Sequence, residues 1–180
     1  MNQRLLEKYN KDVAPKLNEK FSYKSVMQIP RLNKLVINVG VGKINKDQKL
    51  IEKIASDLEK IAGQKPVMVK AKKSIAGFKL REGTVVGVMV TLRRKRMYDF
   101  LDRLISIALP RSKDFSGIVL TSIDKNGNLN IGIKEQTIFP EISYESIKEI
   151  FSFQVNVSTT AKTREEGLEL FKLIGIPLKV

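Results

Sequence analysis

The sequence predicts an α+β fold: a single domain over residues 1–180, with a mainly antiparallel sheet of about five strands and helices packed mostly on one face. Helix-period stripes of apolar residues are mixed along the chain with short β-branched runs. Residues 67–92 and 118–133 are each predicted to form a hairpin, and a hairpin pairs its strands antiparallel. A doubly wound parallel sheet is the competing fold, because strands and helices also alternate.

The first predicted element is a helix over residues 2–20, whose apolar residues recur at helical spacing. Pro15 falls inside it and lacks a backbone N–H, so a kink or a short second turn is expected there. Residues 33–39 are rich in Val, Ile and Leu and predict a strand, which Gly40 and Gly42 interrupt. The apolar stripe of the helix consists of Leu5, Leu6, Tyr9, Val13 and Leu17.

A second helix is predicted to begin after Asp47 as its N-cap and to end at Gly63. Two strands follow, over residues 67–70 and 85–92. The connection between them, residues 71–84, is polar and basic, with glycines at 77 and 83. The core face of the helix consists of Leu50, Ile54, Leu58 and Ile61.

A third helix is predicted over residues 94–109, and Pro110 is expected to end it. Residues 118–123 and 129–133 are predicted strands that flank Asn126-Gly127, a dipeptide that favours the positive φ angles of a hairpin turn. The core face of the third helix consists of Met97, Leu101, Leu104 and Ala108, widened by Phe100 and Ile105.

The last strand is predicted over residues 153–159, where apolar and polar residues alternate. Thr163 and Glu166 have the spacing of a capping box, which predicts the start of a final helix. Gly175 and Pro177 are expected to end that helix.

Basic charge dominates the composition, with 33 Lys and Arg against 19 Asp and Glu and a formal net charge of +14. Residues 65–114 alone hold 13 Lys and Arg and four acids, a net charge of +9. A basic face kept for solubility is one explanation, but clustered like charges repel one another unless an anion offsets them. A polyanion is therefore the favoured partner, and nucleic acid is favoured over an anionic membrane.

A membrane partner is disfavoured because the cations of residues 93–96 lie at one end of the third helix rather than along it. No stretch has the 18 or more apolar residues that a membrane span needs. The start of the chain carries charge throughout, so no signal peptide is predicted and a cytoplasmic protein is expected.

Cys and His are both absent, which excludes cysteine nucleophiles, Ser-His-Asp triads and zinc fingers. Gly40-Val41-Gly42-Lys43 has the position of a phosphate-binding turn, but Asn45 replaces the third glycine of GxGxxG, and Ile44 the Ser or Thr of a Walker A motif. No catalytic residue, metal ligand set or cofactor is predicted, and a nucleotide-binding enzyme is the alternative to an RNA-binding protein. Few aromatics and no helix-turn-helix spacing favour recognition of folded RNA by shape and phosphate contacts.

Several strings occur in one order along nearly the whole chain. They are NKLVINVGVG from residue 33, AGQKP from 62, AKKSIAGFKLREG from 71, VTLR from 90, RMYDFLDRL from 96, GIKEQ from 132, IFPEI from 138 and TTAKT from 159. Together they resemble the family of bacterial large-subunit ribosomal protein five, the 5S rRNA-binding protein of the central protuberance.

The resemblance implies a structural constituent of the large ribosomal subunit without enzymatic activity, which binds 5S rRNA and helps attach it in the central protuberance. Neighbouring 5S-binding large-subunit proteins are further expected partners. The positions that match the rRNA-binding side chains of the family are Asn38, Gln64, Thr91 and Arg93.

Two other contacts follow from the resemblance. The basic loop 71–84 resembles the projecting loop of the family and is expected to reach the P-site tRNA. A further surface is expected to contact a small-subunit head protein at an intersubunit bridge. The matching tRNA positions are Lys72, Lys73, Ser74, Ile75, Ala76, Gly77 and Lys79. The matching bridge positions are Arg111, Lys113, Phe115 and Glu141.

Overall fold

The computed structural model describes residues 4–44, 47–78, 80–113, 115–142 and 149–179. Helix α1 covers residues 4–21, as α-helical Arg4–Lys8 and Ala14–Phe21 around a π-helical turn, Tyr9–Val13. Helix α2 is Gln48–Ala62, and helix α4 is Arg164–Ile174. Helix α3 covers residues 94–111, as Arg94–Arg103, a π-helical turn at Leu104–Ala108, and Leu109–Arg111.

The strands are β1 Leu32–Gly40, β2 Val67–Lys70, β3 Val85–Leu92, β4 Ile118–Val119, β5 Leu129–Ile133, β6 Phe153–Thr159 and β7 Leu178–Lys179. Five of them form an antiparallel sheet in the order β2-β3-β1-β6-β5. This confirms the predicted α+β class and its antiparallel sheet. The pair β4 and β7 forms a separate parallel ladder.

The predicted hairpin over residues 67–92 is confirmed, since β2 and β3 pair antiparallel, whereas the one over residues 118–133 is only partly correct. Its tight turn forms, with the N–H of Asp124 donating to the carbonyl of Asn128 at 2.9 Å. The prediction for the first arm is wrong, because β4 forms its hydrogen bonds with β7 and therefore does not pair with β5. Between β4 and the turn, Leu120–Ser122 forms a 3₁₀ turn.

Two prolines lie inside helices, and each follows a π-helical turn. The N–H of Ala14 donates five residues back, to the carbonyl of Tyr9, and the same pattern precedes Pro110. The wider turn changes the position of the carbonyl with which the proline ring would clash in a regular α-helix. Helix α1 therefore continues past Pro15 to Phe21, with a π-helical turn before the proline where a kink or a short second turn was predicted. The prediction that Pro110 ends α3 is wrong, because the helix continues to Arg111.

Two helix ends follow the local sequence signals as predicted. The Asp47 carboxylate accepts a hydrogen bond from the N–H of Leu50 at 3.1 Å, and Gly63 ends α2 with a φ of 67°. Thr163 and Glu166 form the predicted capping box of α4. The predicted strand over residues 153–159 is confirmed without a shift of either end.

The chain folds into two compact units. Unit 1 comprises Met1–Leu35, Leu92–Ile131 and Asn156–Val180, and its core contains Leu17, Phe100 and Phe171. Unit 2 comprises Val36–Thr91 and Gly132–Val155, and its core contains Ile37, Leu58 and Val90. Three of the four positions matched to rRNA binding belong to unit 2.

Candidate nucleic-acid interface

Asn38 lies in β1 and points away from the core of unit 2. Its chain neighbours Ile37 and Val39 are both buried, so the alternation of a strand directs the Asn38 side chain to solvent. Within the described part of the chain, no residue forms a hydrogen bond with that side chain. Asn38 therefore presents both donors and both lone pairs of its amide to a ligand.

Three glycines lie on the sheet surface around Asn38. On the neighbouring strand β3, the position that a Cβ of Gly87 would occupy is 3.7 Å from Asn38 Oδ1. A Cβ on Gly40 or Gly132 would meet no atom within 4 Å. Gly40 and Gly132 are exposed and leave the backbone accessible, whereas Gly87 is buried, so another molecule can approach the sheet closely at Gly40, on the same strand as Asn38.

A depression of about 540 Å³ opens on this surface of unit 2. Polar side chains at its rim, those of Ser152 and Gln154, can donate and accept hydrogen bonds, and Lys134 can attract an anion. The sequence analysis did not find these residues, because they come from separate segments. The depression is lined by Asn38, Gly40, Gly132, Ile133, Lys134, Ser152, Phe153 and Gln154.

Gln64 and Thr91 lie together, although 27 positions separate them in the chain. The side-chain amide of Gln64 donates a hydrogen bond to the backbone carbonyl of Thr91 at 3.2 Å. Val90 and Leu92 are buried, so the Thr91 side chain projects on the face of β3 that a Cβ at Gly87 would share, and the Asn38 side chain lies on that face. Gln64 thus fixes the segment after α2 against β3, and Thr91 is available on the surface as a half-buried hydroxyl.

Arg93 is the N-cap residue of α3 in unit 1 and is exposed. Arg94, Lys95 and Arg96 follow it and are exposed as well. Arg94 has a φ of 51°, a left-handed conformation that turns the chain sharply between β3 and α3. Four successive cations at a helix N-terminus, where backbone N–H groups also point outward, favour binding of phosphate.

The loop 71–84 is a hydrogen-bonded extension of the β2–β3 hairpin. The N–H of Ala71 donates to the carbonyl of Thr84 at 2.8 Å, and an antiparallel bridge joins Ile75 to Leu80. The Ser74 hydroxyl accepts a hydrogen bond from the N–H of Glu82 at 2.9 Å. The loop is therefore an ordered projection whose backbone holds its side chains in place.

The loop displays the positions matched to tRNA binding. Lys72, Lys73, Ser74, Ile75, Ala76 and Gly77 are all exposed, whereas Lys79 lies outside the described residues. Phe78 is 79% exposed, and the sequence analysis did not include it among the site residues. The sequence could have indicated Phe78, because an aromatic residue within a basic loop has no hydrophobic core to pack against.

The positions matched to the intersubunit bridge belong to both units. In unit 1, Arg111 and Lys113 are exposed near the end of α3, and Phe115 is half-buried. In unit 2, Glu141 is half-buried. The positive charges of Arg111 and Lys113 are complementary to an acidic surface on a partner protein.

The described residues hold no group of three or more acidic side chains placed to bind a metal ion. Among the same residues, no helix combines the length and the apolar character that crossing a bilayer requires.

Two family models cover most of the chain. Residues 25–81 match ribosomal protein L5, and residues 85–178 match the C-terminus of the ribosomal L5P family. The chain belongs to the ribosomal protein L5 family. The large ribosomal subunit protein uL5 of Syntrophomonas wolfei is 53% identical over 176 residues, which cover 98% of this chain and 99% of that protein. The proteins of the same name from Streptococcus thermophilus and Geotalea daltonii are each 51% identical, over 98% of both chains.

Membership of the L5 family confirms the resemblance found in the sequence. The chain is accordingly a structural constituent of the large ribosomal subunit, which acts in translation on the ribosome in the cytoplasm. It is a structural protein and not an enzyme.

Proposed function

We propose that this L5-family chain acts as one RNA-binding domain that binds 5S rRNA and helps attach it in the central protuberance. The contact is made by the surface that carries Asn38, Gln64 and Thr91, and Arg93 adds a phosphate contact. The observation that supports it best is the exposed amide of Asn38 among glycines. A side chain that both donates and accepts can bind ribose 2′-hydroxyls and base edges, provided that the RNA can come this close.

The charge of the chain supports RNA over a protein partner. Residues 65–114 carry the net charge of +9, and the described cations of residues 93–96 are exposed. Lys134 adds a cation at the rim of the depression beside Asn38. Phosphates supply the negative charge that these cations attract, whereas the neutral amides and hydroxyls supply specificity.

Asn38→Ala is the test of the 5S rRNA contact. We expect 5S affinity to fall about tenfold, because a buried hydrogen bond contributes about 1–3 kcal/mol. The slope of log affinity against log salt should not change, since no cation is removed. Asn33→Ala is the matched control, because Asn33 is an exposed asparagine on the same strand.

An unrelated RNA of equal length completes the 5S experiment. The wild-type chain should bind it more weakly than 5S rRNA, and Asn38→Ala should leave that binding unchanged. Equal loss in the Asn38 and Asn33 variants, or no preference of the wild type for 5S rRNA, would contradict the proposal.

A second proposed contact is that of the loop 71–84 with the P-site tRNA. It is supported by the hydrogen-bonded, projecting backbone and by the exposed ammonium groups of Lys72 and Lys73. The double variant Lys72→Ala/Lys73→Ala should weaken tRNA retention on reconstituted ribosomes and leave 5S affinity within about twofold of wild type. If 5S binding were lost and tRNA retention preserved, the loop would be the 5S site instead.

The third proposed contact is an intersubunit bridge to a small-subunit head protein, through Arg111, Lys113, Phe115 and Glu141. The exposed cations of unit 1 support an acidic partner surface. Arg111→Glu/Lys113→Glu should weaken subunit association and leave 5S binding intact, as sedimentation of reconstituted ribosomes would show. Contacts with neighbouring 5S-binding proteins of the large subunit belong to the same proposal.

A further inference from the structure

Asn126 precedes Gly127 in the turn before β5, and no other asparagine of the sequence precedes a glycine. An asparagine in this position is prone to lose its side-chain amide, because glycine has no side chain to shield its backbone nitrogen from the asparagine carbonyl carbon. The Gly127 nitrogen forms a bond with Cγ of Asn126, the bond from Cγ to the amide nitrogen breaks, and ammonia leaves with the Gly127 proton. Water then opens the cyclic imide and gives aspartate or isoaspartate. Asn126 is exposed, so water reaches it.

Asp124 holds the Gly127 nitrogen in the folded turn. The N–H of Gly127 donates to the Asp124 carbonyl at 3.1 Å. The Asp124 carboxylate also accepts hydrogen bonds from the N–H groups on either side, that of Asn126 at 2.9 Å and that of Asn128 at 2.8 Å. Three successive N–H groups are therefore bound to one residue. To attack Cγ of Asn126, the Gly127 nitrogen must lose the proton that it donates here and turn toward the side chain, which disrupts this set of hydrogen bonds.

Packing on the other side of Gly127 restricts it further. Gly127 is buried, and Thr159 Oγ1 donates a hydrogen bond to its carbonyl at 2.9 Å. A Cβ on Gly127 would lie 2.8 Å from Cβ of Ala161, and a Cβ on Gly167 of α4 would lie 2.4 Å from Gly127 Cα. Real Cβ atoms do not come this close, so the Gly127 backbone has no space in which to move while unit 1 is folded.

The same packing excludes one of the two products. Isoaspartate carries the main chain through the former side chain of Asn126 and so lengthens the backbone next to Gly127 by one methylene group. A chain with this insertion cannot keep both the hydrogen bonds of Asp124 and the close contact between Gly127 and Gly167. Aspartate leaves the backbone unchanged and adds only a charge to an exposed side chain.

We propose that Asn126 is a site of spontaneous deamidation that the folded chain suppresses through Asp124. When unit 1 unfolds, Asn126 deamidates, and chains that carry isoaspartate do not regain the native packing of the turn against α4. The modification marks the chains that have unfolded and prevents their return to the native fold. The site is independent of the proposed RNA contacts, none of which involves this turn.

The test follows residue 126 in the full chain by peptide mass spectrometry, with enzymatic methylation of isoaspartate as a second measurement. Asn33 is the internal standard, because it is exposed in the same unit and precedes Lys34 instead of a glycine. In urea that unfolds the chain, Asn126 should deamidate well before Asn33. In native buffer over the same time, neither should change in the wild type.

Three variants identify the protecting group. Asp124→Ala and Thr163→Ala each remove a similar stabilising interaction and raise the unfolded population about fivefold, but only the first opens the turn. In native buffer we expect Asn126 to deamidate about tenfold faster in Asp124→Ala than in Thr163→Ala, because loss of a hydrogen bond to a charged group changes the local opening equilibrium by about that factor. Lys125→Ala changes an exposed side chain of the same turn and should behave as the wild type.

Equal rates in Asp124→Ala and Thr163→Ala would overturn the role of Asp124. Equal rates for Asn126 and Asn33 in urea, or loss of the Asn126 amide from the wild type in native buffer, would overturn the proposal as a whole. The refolding step is tested on chains that are deamidated in urea and then diluted into native buffer. Refolded protein, isolated by gel filtration, should lack isoaspartate at residue 126, whereas Asn126→Asp should refold as the wild type does. Isoaspartate in the refolded fraction would show that the turn accommodates the insertion, and the proposed block to refolding would be wrong.

Discussion

Substitution of Gly87 tests whether RNA needs access to the surface beside Asn38. Gly87 lies on β3, and a Cβ added to it would face Asn38 Oδ1 at 3.7 Å and the Val39 carbonyl at 3.4 Å. Both distances are ordinary van der Waals contacts. Gly87 is buried, and Val69 Cβ would lie 3.8 Å from the added Cβ. Gly87→Ala and Gly87→Val therefore add one and then three carbons directly against the Asn38 side chain without removing its amide.

The fold should tolerate alanine at Gly87. Gly87 lies within β3 and does not have a positive φ, so alanine can adopt its backbone conformation. Replacing glycine at such a position reduces the entropy of the unfolded chain and stabilises a protein by about 0.4–1 kcal/mol. We expect Gly87→Ala to unfold at a urea concentration equal to or slightly above that of the wild type.

RNA affinity should change in the opposite direction. If RNA lies against the sheet beside Asn38, each added carbon separates the amide from its RNA partner. Loss of one such hydrogen bond costs about 1–3 kcal/mol, so 5S affinity should fall about tenfold for valine and less for alanine. The salt slope should stay constant. Filter binding or fluorescence anisotropy with labelled 5S rRNA, beside urea unfolding of the same samples, measures both quantities.

Gly77→Val is the matched control for this experiment. Gly77 lies in the loop 71–84, and a Cβ there would meet no atom within 4 Å. The same change in side chain, placed on the surface proposed for tRNA, should leave 5S affinity unchanged. If Gly87→Val bound 5S rRNA as well as the wild type while remaining folded, the RNA would not lie against this surface, and the site would have to be sought elsewhere.

Three predictions concern the fold of unit 1. At Asp124, burial raises the pKa, but hydrogen bonds from Asn128 and from the N–H of Asn126 together outweigh it and lower the pKa below its usual value. Asp124→Ala should therefore reduce the unfolding free energy by about 1 kcal/mol at pH 7, and the difference from wild type should shrink as the pH falls below about 4, in urea unfolding measured at several pH values. Gly167→Ala should destabilise by about 3 kcal/mol in the same assay, because its Cβ would overlap the backbone of Gly127. Thr163→Ala should cost about 1 kcal/mol through loss of the N-cap of α4, visible as a lower Tm.

The elements that the sequence predicted well depend on signals within a few residues. Asp47 caps the start of α2 and Gly63 caps its end, and Thr163 caps the start of α4. Each of these signals lies next to the helix that it delimits. The predicted pairing of Ile118–Val119 with β5 was wrong, because these residues pair with Leu178–Lys179, about sixty positions away in the chain. This distant strand competes with the nearby β5. Local turn chemistry predicted the turn at Asn126-Gly127 but carried no information on which strand wins that competition.

The same contrast between local and long-range signals applies to the candidate site. Charge counting indicated an anionic partner, and the family resemblance matched Asn38, Gln64 and Thr91 to rRNA binding. Neither indicated that Gly40, Gly87 and Gly132 would lie on the sheet surface around Asn38, since the three glycines come from three different strands. From the sequence alone, Gly87 within a β-branched run only weakens a strand prediction. In the structure, Gly87 lies beside Asn38, where any side chain would lie against the Asn38 amide.

Asn38 and Gln64 show why a matched position does not define a role. Both are amides that the resemblance matches to rRNA binding. In the structure, Gln64 donates to the carbonyl of Thr91, whereas no described residue hydrogen-bonds to the Asn38 side chain. Removing the Gln64 amide therefore disturbs the protein and the RNA contact together, and a loss of binding there does not identify a direct contact. Removing the Asn38 amide affects no hydrogen bond of the described protein, so any loss of affinity belongs to the RNA. For this reason Asn38, with Gly87 beside it, is where the proposed 5S contact can be tested without a change in the fold.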